Sequence, residues 1–341
     1  MSETTSDQRQ WPIIGHSNIV TYLQKSLKSL GVAHAYLFVG PDGVGKRQVA
    51  GYFGGSLVCR ELNNFGKVKV PCGSCDGCRQ AMRQTHPDIF WVSRELNEKT
   101  EKLKKNIGIE QIRQLQNKLS LGSFMNTYKV AVIEEAEKLS LEASNALLKT
   151  LEEPSPKTVL ILLASNLDNL PKTIASRCQV LRFLPVGSQE IYEHLVALKI
   201  DKKKAKILAA ISYGRPGLAL NFLNDQDAYH LYLEDVRQFT ILIKSGTLDR
   251  FKIIGEISKL DNDSLKTLLN TWLKMVRDSL LLRNGSAAYI NHLNFQTDLN
   301  SLSTYDNGKL LNAIAEIEKA KSYIDQNVNT KLILENLALT F

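Results

Sequence analysis

HAYLFVGPDGVGK, running from His34 to Lys46, decides how the rest of the chain is read. The apolar run Ala35 to Val39 enters a glycine-rich turn, and the residues from Lys46 to Leu57 follow as a helix. Gly40, Gly45 and Lys46 fit the spacing G-x-x-x-x-G-K, with Gly43 between them. In such a loop backbone N–H groups wrap a phosphate and the lysine neutralises it. The next residue should be Ser or Thr, whose short hydroxyl holds the magnesium ion that bridges the outer phosphates. Here it is Arg47. A guanidinium has donors only and cannot ligate a cation. The loop therefore keeps the means to hold a phosphate, and magnesium-dependent hydrolysis loses a ligand.

Further apolar runs lie at Val130 to Ile133 and Val159 to Ala164, and Ser140 to Leu151 between them has apolar positions at helical spacing. Strands alternating with helices predict an α/β domain with a parallel sheet covered on both faces. The first of these runs ends in Glu134-Glu135. A phosphate-loop ATPase usually places there an aspartate near magnesium, followed by a glutamate that activates water. Glu135 matches, and Glu134 is one methylene longer than the aspartate. The competing reading is an acidic pair solvated at an ordinary turn.

Cys72, Cys75 and Cys78 stand at two successive C-x-x-C spacings, with Gly73 and Gly77 permitting tight turns, and Cys59 lies upstream. Four thiolates close a tetrahedron around zinc, leaving no position for water, so such a metal holds a loop and does no chemistry. An iron–sulfur cluster is the rival, because C-x-x-C-x-x-C also begins the ferredoxin run, but the fourth cysteine and the proline expected just downstream are absent. Cys178 is too distant in sequence to be counted with the four.

The chain has 341 residues and a formal charge of +8. Residues 1–210 hold 29 Lys/Arg against 20 Asp/Glu, and residues 211–341 hold 14 against 15, so the basic excess lies in the first two-thirds. That excess suits a nucleotide or nucleic-acid partner. No apolar run approaches the roughly 18 residues of a membrane helix, and Met1 to Arg9 lack a signal-peptide core, so a cytoplasmic protein is expected. All nine prolines fall between Pro12 and Pro216, which predicts an uninterrupted helical tail. Pro171 to Ile211 reads as a small helical unit rich in lysine: Lys199, Lys202, Lys203, Lys204 and Lys206. Amphipathic segments follow at Asp227 to Lys244, Asp263 to Leu282, Asn307 to Asp325 and Thr330 to Leu339. In the second, Leu265, Leu268, Leu269, Trp272, Val276 and Leu280 form one stripe, with Asp263 as the expected cap and Asn284-Gly285 as the stop.

The stretch ASNALLKTLEEP from Ala143, then LILLASN and LPKTIASRC, together with the loop from His34, closely resembles the clamp-loader branch of the AAA+ ATPases. A four-cysteine zinc module after the loop's helix is shared by two bacterial members, the gamma/tau motor and the delta-prime subunit of DNA polymerase III. With its altered loop the sequence is similar to the delta-prime type. The motifs are dense over residues 14–185.

The resemblance implies three domains: an AAA+ core over residues 1–167 with the zinc module at 59–78, a helical lid over 168–212, and an all-α collar over 213–341. It implies a hetero-pentamer with gamma/tau and delta subunits, acting on a sliding clamp and primed DNA. Within it, Arg177 of Ser176-Arg177-Cys178 is the arginine finger for the γ-phosphate held by a neighbouring motor. Ser165 and Asn166 fall at the nucleotide-sensing position. Motor subunits carry an arginine three residues after the glycine matching Gly214, where this chain has Gly217, and Arg215 stands two positions early. ATP or ADP is then at most passively held. Two other functions remain open at this point: an autonomous gamma/tau-like or other phosphate-loop NTPase, and a zinc-dependent DNA-binding module.

Overall fold

The computed structural model describes residues 11–64, 70–97, 103–123, 127–326 and 328–340. The chain divides into two compact units, Met1–Ile191 with Gly214–Gly217, and Tyr192–Tyr213 with Leu218–Phe341.

The first unit is built on five parallel strands: β1 (Ala35–Val39), β2 (Ile89–Val92), β3 (Lys129–Ile133), β4 (Thr158–Ala164) and β5 (Gln179–Arg182). Their order across the sheet is β2-β3-β4-β1-β5. The central three are buried along their whole length, as expected of parallel strands covered on both faces. Alternate residues feed two separate cores. Tyr36, Phe38, Val130, Val132 and Ile161 pack with Leu23, Phe53 and Leu57 on one face. Leu37, Ile133, Leu160 and Leu162 pack with Ile112 and Leu147 on the other.

The outer strands β2 and β5 are only half-buried or exposed; β2 is nonetheless a run of four apolar residues, IFWV, whereas β5, QVLR, has polar ends. Because every strand runs the same way, the loops that follow β1, β3 and β4 emerge side by side at one edge of the sheet. Ligands of open α/β sheets bind at that edge, where the chain reverses its direction across the sheet.

The second unit is helical. Its helices include Gln226–Lys244, Asn262–Arg283, Asn307–Asp325 and Thr330–Ala338, within two residues of the expected spans. The cap of the second is Asp261, not Asp263: its carboxylate accepts from the N–H groups of Asp263 and Ser264, both at 3.1 Å. That helix stops as expected at Asn284, with Gly285 at φ 74°. Leu265, Leu268, Leu269, Trp272 and Val276 are buried as one stripe, joined by Met275, while Leu280 is half-buried.

Asp278 lies fully buried on this helix. Its carboxylate accepts from the Asn291 and His292 N–H groups at 2.8 and 2.9 Å, from His292 Nδ1 at 2.8 Å and from Arg277 at 2.7 Å. Burial would push its pKa up; the bonds from His292 outweigh that and hold it below the ordinary carboxylate range.

Candidate functional site

Gly40 follows β1 and donates its N–H to Ala164 O at 3.1 Å. A Cβ there would stand 2.2 Å from Phe183 O, so only glycine fits. Gly43 and Gly45 have φ of 77° and 115°, which glycine adopts without steric cost. The loop is braced from two sides: His16 Nε2 bonds Val44 O at 2.9 Å, and Gly217 donates its N–H to Gly43 O at 2.7 Å. It opens onto a cavity of about 680 Å³, which Lys46, Arg47, Trp91, Glu134, Glu135 and Ser165 help to line.

Every charged group here is answered from within the chain. Lys46 is buried and turned back on its own loop, donating to Gly40 O, to Pro41 O at 3.3 Å and to Asp42 Oδ1 at 3.5 Å. Burial lowers its pKa, with Asp42 acting against that. Arg47 sets Nη1 3.2 Å from both carboxylate oxygens of Glu134, and its guanidinium lies 5.0 Å from the centre of the Trp91 ring. Burial raises the pKa of Glu134, against the pull of Arg47. Arg94 grips Glu135 with two bonds, Nε to Oε2 at 2.7 Å and Nη2 to Oε1 at 2.8 Å, the fork geometry that guanidinium and carboxylate share.

Ser165 donates its N–H to Glu137 Oε1 at 3.0 Å, and its hydroxyl bonds the same oxygen. Asn166 turns elsewhere, accepting from Asp168 N at 3.1 Å as the cap of a short turn. The structure thus brings Gly40, Gly43, Gly45, Lys46, Arg47, Glu134, Glu135 and Ser165 to one edge of the sheet.

The glycines and backbone of this loop fit a phosphate. A magnesium-bound triphosphate does not fit the side chains present: the hydroxyl position is a cation, and both candidate carboxylates are already engaged by arginines. Arg94, Trp91 and Glu137 were not anticipated. Arg94 is 41 residues from Glu135 in sequence, and only β2 brings it alongside.

Arg177 stands apart. It precedes β5 by two residues, whereas the phosphate loop follows β1, and β5 pairs with β1 from Tyr36↔Gln179 to Val39↔Arg182. Five residues separate Arg177 from the end of β5, or about 16 Å at roughly 3.3 Å per residue, so it lies at the opposite edge. There Nη2 donates to Glu152 Oε1 at 2.7 Å and Nη1 to Thr173 O at 3.0 Å, with the side chain 37% exposed.

Cys59, Cys72, Cys75 and Cys78 place their sulfurs within 4.8 Å of one another. Cys72 and Cys78 are 3.8 Å apart, close to the roughly 3.8 Å edge of a tetrahedron with zinc–sulfur bonds of about 2.3 Å. The N–H groups of Cys72, Cys75 and Cys78 each donate to a cysteine sulfur at 3.4 Å, which favours thiolates. The hydrogen bond from Cys78 draws the Cys59 thiol down to about 5. These four residues fit a closed tetrahedral metal site. Cys178 is not among them, and burial pushes its thiol up to about 12.

Five parallel strands with a phosphate loop after β1, an acidic pair after β3 and a serine after β4 define an α/β protein of the P-loop class. The family model described as DNA polymerase III, delta subunit matches residues 15–187, half of the chain, and the chain belongs to that family. It is 38% identical over 187 residues to the delta' subunit of Pseudomonas aeruginosa DNA polymerase III, covering 54% of each protein. It is 26% identical to the Bacillus subtilis delta' subunit, covering 94% of both. The Bacillus subtilis tau subunit is 30% identical over 300 residues, covering 84% of this chain and 50% of tau. The matches to tau and to the Pseudomonas protein thus span about half the length of each. A solved gamma-subunit-related protein from Thermotoga maritima aligns at TM-score 0.42 and 19% identity over 93% of this chain and 97% of that one, a likeness that adds nothing to the assignment.

Proposed function

We propose that this chain is a delta-prime-like stator of the DNA polymerase III clamp loader: a subunit that turns over no ATP itself and supplies Arg177 to the nucleotide of a neighbouring motor. The observation that carries the reading is the placement of Arg177 at the sheet edge opposite its own phosphate loop. A guanidinium there cannot serve this chain's loop, and it stands ready to serve another's. An arginine delivered in trans stabilises charge developing on the transferred phosphoryl group and is worth about 10³ to 10⁵ in rate. The ion pairs of Glu134 and Glu135 support the other half of the reading, since each carboxylate already faces a guanidinium of its own chain.

The proposal extends to the assembly: gamma/tau and delta subunits as partners, a sliding clamp and primed DNA as what the complex handles, and the cytoplasm as its place. It includes a division into core, lid and collar, expected at 1–167, 168–212 and 213–341 but with β5 in the sheet of the first unit and so in the core, and a structural zinc ion on the four cysteines. The identity with tau favours a second reading, an ATP-hydrolysing motor.

Two measurements separate them. The isolated protein should show no magnesium-dependent turnover; robust turnover lost in Lys46→Ala establishes the motor instead. In a reconstituted loader Arg177→Ala should lower ATPase while leaving assembly intact. Unchanged turnover there removes the finger role.

A further inference from the structure

Glu152 is the last residue of the helix Leu141–Glu152, and Arg177 lies two residues beyond the short helix Lys172–Ala175. Both backbones are fixed from beneath: Leu151, beside Glu152, and Ile174, three residues before Arg177, are buried in the same core. Above that core the guanidinium is held at two points. Nη2 donates to Glu152 Oε1 at 2.7 Å, and Nη1 donates to Thr173 O at 3.0 Å. Thr173 O is the carbonyl that the Arg177 N–H would take if the helix went on. That N–H bonds Ile174 O at 3.1 Å instead, and the Ser176 hydroxyl also donates to Thr173 O, at 3.2 Å.

The last carbonyls of a helix carry partial negative charge, so its end favours cations and disfavours carboxylates. Glu152 and Glu153 both stand at such an end, and helix stability gives no reason for either. They differ in what they meet. Glu152 takes Arg177, whereas Glu153 enters no ion pair among the described residues. A guanidinium bonded through one nitrogen still swings about that bond; bonded through both Nη atoms to two separate acceptors, its plane is set. It carries five N–H groups. The two contacts engage two of them and leave three for an anion, on a side chain 37% exposed.

We propose that Glu152 is a positioning residue for Arg177: together with Thr173 O it fixes the plane of the guanidinium, so that the remaining N–H groups are aimed at a neighbouring subunit's phosphoryl group before that group arrives. The inference rests on the reading of Arg177 as an arginine finger. Orientation set in advance lowers the barrier in the reacting complex, and a misplacement of about 1 Å can cost about 10² in rate. In this role Glu152 acts only through Arg177.

The test is steady-state ATPase of a loader reconstituted with the full-length chain, with kcat and KM for ATP measured separately. Arg177→Ala sets the scale of what this chain contributes. Glu152→Ala should lower kcat about 10- to 100-fold at the ATP site this chain serves, with KM nearly unchanged, because the neighbouring subunit holds the ATP. Glu152→Gln keeps an acceptor for Nη2 and should restore most of kcat. Glu153→Ala, which removes the same charge one residue on, should leave kcat unchanged. In the double variant Glu152→Ala/Arg177→Ala the loss should equal that of Arg177→Ala alone, since nothing is left to position. Co-elution of the assembled loader checks that each variant is incorporated.

Full kcat in Glu152→Ala overturns the proposal and leaves the finger intact. So does a kcat above that of the unaltered chain, which would make Glu152 a restraint on Arg177. A glutamine variant as slow as the alanine one overturns it too, because charge and not aim would then be the requirement, and additive losses in the double variant would give Glu152 a separate role. Failure of the finger itself has a different signature: Arg177→Ala then turns over as fast as the unaltered chain, and the proposal falls with it.

Discussion

Arg94 and Arg177, at the two edges of one sheet, are held in opposite ways. At the edge after β1, β3 and β4, Arg94 is closed onto Glu135 from a largely buried position, while Arg47, 56% exposed, pairs with Glu134 beside the cavity. At the other edge Arg177 pairs with Glu152, a carboxylate 51% exposed, and donates to the Thr173 carbonyl. Arg94 is the contrast in burial, at 14% exposed with a two-pronged bond. A buried fork fixes a side chain in one place. An exposed single ion pair leaves it available to a stronger anion. The fold thus separates the phosphate loop from Arg177 by the length of one short strand.

The largest expected effect tests that availability. Arg177→Lys keeps the charge and loses the planar fork, so in a reconstituted loader it should forfeit most of the roughly 10³ to 10⁵ ascribed to a finger. Full activity with lysine would mean that Arg177 acts through charge at a distance, and the contrast between the edges would lose its functional content. Next in size is zinc removal. The helix that starts at Lys46 ends at Leu57, two residues before Cys59, so a metal held by the four cysteines would brace the far end of the loop's own helix. Structural zinc can contribute about 10 kcal/mol or more to small domains at neutral pH. Chelation should strip amide protection around Cys59 and Cys72–Cys78 and leave Lys172–Arg182 protected, measured by hydrogen exchange. Loss at both edges would show that they are not independent.

Much of this was legible in the sequence. Strands β1, β3 and β4 are buried on both faces and therefore read as unbroken apolar runs, and the long helices announce themselves by three- and four-residue spacing. β2, IFWV, carries the same apolar signal as Val130–Ile133 and was legible in the sequence; β5, QVLR, was not, because a short strand with exposed polar ends takes its identity from its neighbours. Asp261 and Asp263 are equally good caps by composition, and only backbone geometry chooses between them. At the site, Arg47 was legible because it interrupts a fixed spacing. Arg94 was not, since its partner Glu135 is distant in the chain and the two meet only through the parallel register of β2 and β3. That Arg177 faces away from its own loop is a property of topology, which no local pattern carries.

Stability measurements sharpen the comparison directly. Arg94→Ala removes both bonds to Glu135 from a largely buried position, and hydrogen bonds to charged groups are worth about 1.5–3 kcal/mol. Glu152→Ala removes an exposed ion pair, for which about 0.2–1 kcal/mol is expected. Denaturant midpoints at constant slope should rank the two in that order. Equal costs would imply that Arg177 is held as firmly as Arg94, and a finger so held would be slow to reach another subunit's phosphate.

The smallest effect is a pH dependence at the edge that carries the phosphate loop. Burial raises the pKa of Glu134 above its unfolded value, Arg47 offsets this in part, and the charge of Glu135 adds to the rise. A group whose pKa is raised on folding contributes stability that is complete below its unfolded pKa and is lost as pH rises through its folded pKa. Glu134→Gln lacks that loss, so the stability of the variant minus that of the unaltered chain should climb with pH from the ordinary carboxylate range upward. The change should be about 0.5 kcal/mol or less, because Arg47 loses its charged partner in the same substitution. Unfolding midpoints of both proteins, measured side by side across that range, give the difference free of every other titrating group. A difference that falls with pH would mean that Arg47 outweighs burial, and Glu134 would then belong with the stabilising ion pairs instead of the buried charges held in check.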